Sequence, residues 1–83
     1  MAIVTTYNLV KDVAQQVAVV GDSILVVPVT NLGRLWIFEQ DNQPADGDFS
    51  NGIALDYSKE TLVARSTVWI MTNYDTMTVK VRN

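Results

Sequence analysis

The side chains available for chemistry are carboxylates, hydroxyls and a few amines, because the 83 residues include neither histidine nor cysteine. The common nucleophile–base arrangements need His, alone or with Cys, to move protons near neutral pH, so triad catalysis is excluded. A carboxylate pair can still hydrolyse a glycosidic bond, and Asp41, Asp46, Asp48 and Asp56 are the candidates by type. That reaction needs a sizeable cleft and one acid with a raised pKa, which so short a chain hardly provides. Asp46-Gly47-Asp48, followed by Ser50 and Asn51, also offers the oxygen donors of a calcium loop. An EF-hand starting at Asp46 would place its Gly and its bidentate Glu where the chain has Asn51 and Tyr57, so that pattern fails. No catalytic residue, metal ligand or cofactor is assigned. The segment from Asp41 to Gly52 reads as a solvated, turn-rich loop and as the candidate mobile or variable element.

Contact chemistry is what remains. Trp36 and Phe38 share one face of a strand whose other face carries Leu35 and Ile37. One pair fills the domain core and the other is available to an interface, where large aromatics often anchor binding. Phe49, an apolar ring inside a polar loop, either tucks back onto a sheet or projects into a partner. Trp69 lies within a strong strand and reads as packing. A sugar-stacking role for Trp36 or Tyr74 has no accompanying motif. At the N-terminus, Ile3, Val4 and Tyr7 belong to a segment, Met1 to Asn8, that is either an edge strand or an arm ordering on a neighbour. The candidate partner-binding residues are therefore Ile3, Val4, Tyr7, Trp36, Phe38 and Phe49.

The elements that position these residues follow from a period of two. Met77, Val79 and Val81 alternate with Thr76, Thr78, Lys80 and Arg82, which suits a half-buried strand and no helix. Further strands are expected over Ala14–Val20, Ile24–Thr30, Arg34–Gln40, Ile53–Tyr57, Glu60–Ala64 and Thr67–Thr72. A helix over Val10–Val20, with Val10, Val13, Ala14 and Val17 at helical spacing, is the rival reading, but β-branched residues crowd it and no convincing cap precedes it. Pro28 cannot donate a ladder hydrogen bond, so its strand is expected at an edge or with a bulge. The short turns at Asn31-Leu32-Gly33 and Asn73-Tyr74-Asp75 predict two hairpins, one joining Ile24–Thr30 to Arg34–Gln40 and one closing the chain. With about seven to eight short strands at the spacing of sandwiches and barrels, the fold class is all-β, a small antiparallel β-sandwich or barrel. One domain over residues 9–83 follows the N-terminal segment 1–8.

Composition bounds the partners. A chain this short buries only about 60–65% of its unfolded surface, yet 48% of its residues are hydrophobic and only 18% charged. Disulfides and a His/Cys metal site are unavailable as staples, so association is the support that remains. A net charge of −3 and six scattered Lys and Arg residues argue against nucleic acid. The longest apolar run, Ile24–Val29, is far short of the roughly 20 residues that cross a bilayer, and no signal-peptide pattern opens the chain. A soluble protein made in the cytoplasm without an export signal, with no membrane partner, is expected.

The order of V-T-N-L-G-R-L-W-I-F (Val29 to Phe38), an Asp/Pro/Gly loop, and S-T-V-W-I-M-T-N-Y-D-T-M-T-V-K-V (Ser66 to Val81) resembles small structural proteins of tailed-bacteriophage particles. The resemblance covers the chain from about Ile24 onward, on motifs that are general β features. It implies a non-enzymatic module of the virion, synthesised in the host cytoplasm, that decorates or cements a capsid or belongs to a head fibre or tail. Its partners would be phage capsid or tail subunits and its own copies, with a trimer favoured. No collagen-like or helical stem is present, which favours cement over fibre. Two other classes stay open: a carbohydrate-binding or adhesive β module, and a small phage-encoded protein that binds a bacterial partner.

Overall fold

A computed structural model describes residues 3–29, 34–55 and 60–82, without the side chains of Glu60 and Leu62. Eight strands form among these residues: β1 (Val4–Val10), β2 (Gln15–Ala18), β3 (Ser23–Pro28), β4 (Leu35–Glu39), β5 (Ile53–Leu55), β6 (Glu60–Val63), β7 (Val68–Thr72) and β8 (Thr76–Arg82). They pair antiparallel in two four-stranded sheets, β1-β8-β3-β6 and β2-β7-β4-β5. The chain changes sheet at every connection except β4 to β5. This is the strand order of a jelly roll, the double Greek key sandwich.

The alternation seen in the sequence builds the layer between the sheets. β8 turns Met77, Val79 and Val81 inward beside Leu9 of β1 and Ile24 and Val26 of β3; the β2 sheet answers with Leu35, Ile37, Leu55, Val68 and Ile70. Segment 15–18 is a strand paired with β7, so the helical reading of Val10–Val20 does not hold. The five β-branched valines of Val10–Val20 and a polar pair at Gln15-Gln16 suit an edge strand better than a helix.

Neither expected hairpin forms. β7 has β2 on one side and β4 on the other, while β8 lies between β1 and β3. A strand has two hydrogen-bonding edges, and both edges of β7 are occupied, so β8 must cross to the facing sheet. The same holds for β3, between β8 and β6, and β4, between β7 and β5. The polar residues taken for a hairpin turn instead stitch a corner. The buried Thr72 hydroxyl donates to the Arg34 carbonyl at 2.8 Å and accepts the Tyr74 N–H at 3.2 Å, and the Arg34 N–H donates to Asn73 Oδ1 at 3.1 Å.

Pro28 ends an inner strand, not an edge strand. The Val29 N–H donates to the Thr78 carbonyl at 2.9 Å. By alternation, the Pro28 nitrogen faces the β6 side, where the ladder stops at Val26↔Glu60. A missing donor is harmless at that point. The other expected turn, Asn31-Leu32-Gly33, and the break at Ser58-Lys59 lie outside the described residues.

Candidate functional site

The two sheets treat their outward faces differently. On the β2 sheet, β4 and β7 send Trp36, Phe38, Trp69 and Met71 away from the main core, with Trp36 opposite Met71 and Phe38 opposite Trp69. The loop from Asp41 to Gly52 folds back over them and makes a second small core with Ala14 and Phe49. Phe49 packs on Trp36 with ring centroids 4.2 Å apart and planes tilted by 39°. Pro44 is buried in the same loop. Gly52 passes so close to Phe38 that a Cβ there would stand 2.7 Å from Cζ of the ring. Only a residue without a side chain lets the backbone approach a buried ring in this way.

Polar bonds pin this cover at several points. Gln43 Nε2 donates to the Ala14 carbonyl at 3.0 Å, and Trp69 Nε1 donates to the Gln40 carbonyl at 2.9 Å. The Gly47 N–H donates to the carbonyl of Asp12 at 2.9 Å. Asp12 itself has a positive φ of 63° and donates its N–H to the Thr72 carbonyl at 2.9 Å. The loop keeps most of its residues exposed, as a solvated loop should, and is at the same time packed through Pro44 and Phe49 and bonded over a sheet face.

Two of the four carboxylates weighed for chemistry, Asp41 and Asp48, are engaged in this architecture. Asp41 Oδ1 accepts the Ser66 hydroxyl at 2.7 Å. Asp48 Oδ1 accepts the Ser50 hydroxyl at 2.6 Å and the Ser50 N–H at 3.1 Å, and these bonds hold its pKa below the ordinary 3.8. A glycosidase acid needs the opposite shift. Asp46 is exposed, and Asp56 lies outside the described residues. Among the described residues, no group of three or more carboxylates is placed to hold a metal ion.

The sequence-predicted partner residues divide between the two sheets. Phe38 is fully buried by its own chain, and Trp36 and Phe49 are half-buried against each other, so these three are brought together as packing. Ile3 and Val4 are 61% and 56% exposed at the start of β1, and Tyr7 is half-buried against the main core. The N-terminal segment is an edge strand that runs on to Val10 and pairs with β8 along its whole length. Of the two readings, edge strand or arm, the edge strand holds, so removal of residues 1–7 would strip most of β1 from its sheet.

The outward face of the β1 sheet carries what sequence reasoning missed. By register, the face consists of Val4, Thr6, Asn8 and Val10 on β1; Thr76, Thr78, Lys80 and Arg82 on β8; Ser23, Leu25 and Val27 on β3; and Thr61 and Val63 on β6. Val10 and Val63 are 61% and 64% exposed. Val29 continues the face beyond β3 and is also exposed. Two cations stand in the middle of this face, and none of these residues is acidic. The signal was present in the sequence as valines alternating with core residues in β1 and β3, but it acquires meaning only once these strands flank β8. Compared with known proteins, the chain matches no protein family, no curated protein and no solved structure.

Proposed function

We propose that the protein is a non-enzymatic assembly module of a virus particle, a decoration or cement protein that docks on other structural subunits. The observation that carries this reading is the outward face of the β1 sheet. Lys80 lies there between Thr6 and Val27, and Arg82 between Val4 and Leu25; the chain covers the opposite outward face with its own loop, and nothing among the described residues lies over this one. Apolar side chains beside an acid-free cationic strand suit a protein surface with acidic residues opposite Lys80 and Arg82 and apolar side chains around them. The jelly-roll strand order is shared by many capsid domains, which supports the reading by analogy of fold and no further.

The test is direct. In particles purified from a culture that produces the chain, the protein should copurify at a constant copy number through gradient sedimentation and salt washes. Its absence from such particles, with the protein recovered only in the soluble lysate, would overturn the reading. Where it copurifies, Lys80→Glu should release it without unfolding it, because the side chain lies on the outward face.

A further inference from the structure

Of the four edge strands, three carry their own protection against pairing with another chain. β5 has three residues, β2 has four and a register shift between Gln16 and Ala18, and β6 has four and begins with Glu60. Short length, a bulge and a charge are the ordinary devices that blunt an edge. β1 has none of them. It runs for seven residues, Val4–Val10, without a charge, a proline or a shift in register against β8.

The free backbone groups of β1 can be identified. The Val29 N–H donates to the Thr78 carbonyl, so Thr78, Lys80 and Arg82 direct their backbone groups to β3. Met77, Val79 and Val81 then face β1, and their partners Leu9, Tyr7 and Thr5 use their own groups on that side. Val4, Thr6 and Asn8 are left with N–H and C=O groups aimed at the open edge. Val10 belongs to the same set, and its carbonyl accepts the Val13 N–H at 3.2 Å.

We infer that two copies of the chain associate through β1, antiparallel about a two-fold axis at Tyr7, joining their β1 sheets into one eight-stranded sheet. The strand is self-complementary in that register. Val4 meets Val10 of the second copy and Thr6 meets Asn8 on the outward face, while Tyr7 meets Tyr7 and Thr5 meets Leu9 on the inward face. The outward-pointing backbone groups of Val4, Thr6, Asn8 and Val10 become the hydrogen-bonded pairs, and the Tyr7 rings occupy the closer non-bonded pair. Each side chain keeps the face it has in the single chain, so nothing buried is turned out. The result is a two-fold pair in place of the trimer that the phage resemblance implies. It would double the open face on which the assembly reading rests, but does not depend on that reading.

Thr6→Pro tests the pairing, because the N–H it removes points away from β8, and proline is tolerated where an edge strand faces solvent. In light scattering across a concentration series, the unaltered protein should reach twice the monomer mass, and Thr6→Pro should weaken the pair by at least about tenfold. Amide exchange at Thr6 and Asn8 should be slow in the unaltered pair, and exchange at Asn8 should be fast in the variant, which has no amide hydrogen at position 6. A monomer at every soluble concentration overturns the inference, and so does a folded Thr6→Pro protein that still pairs. If Thr6→Pro does not fold, the double variant Thr6→Glu with Asn8→Glu decides by the same criteria, since within the chain the new carboxylates stand opposite Lys80 and Thr78 and like charges meet only in the pair. A protein that pairs through β1 and is absent from particles would defeat the assembly reading while leaving this inference standing.

Discussion

The two outward faces of the sandwich are built from the same kind of alternating strands and end in opposite states. On the β2 sheet the outward residues are large, Trp36, Phe38, Trp69 and Met71, and the chain spends its longest loop on hiding them. On the β1 sheet they are valines, one leucine, threonines, a serine, an asparagine and two cations, and nothing described lies over them. The size of the side chains explains the difference. Four large apolar side chains represent several kcal/mol of burial at about 1.5–3 kcal/mol each, which can offset the cost of ordering a loop, whereas scattered valines between threonines cannot. A small domain therefore completed a second core on one side and left the other without a cover among the described residues. The aromatic residues that look most like a binding site in the sequence are the ones withdrawn from it.

The comparison can be broken most severely at the covered face. Phe38→Ala should cost about 3–5 kcal/mol, the usual range for a buried ring replaced by a cavity, measured by urea unfolding. If the loss were below about 1 kcal/mol, the loop would not be a structural cover. Gly52→Ala should cost about 1–3 kcal/mol, because its new methyl group meets the fully buried Phe38 ring, which has no free space to move into. Thr72→Val, nearly equal in shape, removes the hydroxyl that bridges the Arg34 carbonyl and the Tyr74 N–H and should cost about 1–3 kcal/mol.

At the open face the expectation reverses. Val63→Thr should change stability by no more than about 0.5 kcal/mol, and a larger loss would mean that this face is not open in the folded protein. The smallest effect belongs to the acid limb of stability. The Asp48 carboxylate is bonded by Ser50 in the folded state, so its pKa is depressed below 3.8. The stabilisation is complete above the unfolded value and is lost as pH falls through the folded one. Asp48→Asn should flatten that limb slightly in thermal scans between pH 5 and about pH 2.

How much of this was legible depends on the range of the signal. Alternation at Thr76–Arg82 specified both the strand and its inward residues, because a period of two is local to the strand. The double-sided burial of Leu35–Phe38 was readable for the same reason. The identity of the cover was not. Phe49 in a polar loop is compatible with projection or return, and the choice is made by Trp36, thirteen positions earlier in the chain yet 4.2 Å away between ring centroids. Gly52 looked like one more turn glycine until the Phe38 ring was found beneath it. Asn73-Tyr74-Asp75 reported a reversal correctly but not its destination, since turn residues set a local bend and the occupied edges of β7 set where β8 goes.

The sequence by itself determined an all-β chain, the inward residues of its strong strands, and a chemistry without histidine or cysteine, because each depends on residue type or on spacing within a single element. Only the tertiary structure decided the jelly-roll order, the closed aromatic face and the open β1 edge. Those depend on which strands and loops meet across the sandwich, and the pairing of distant segments is settled by competition for a shared core and for free backbone edges, a contest that no local pattern records.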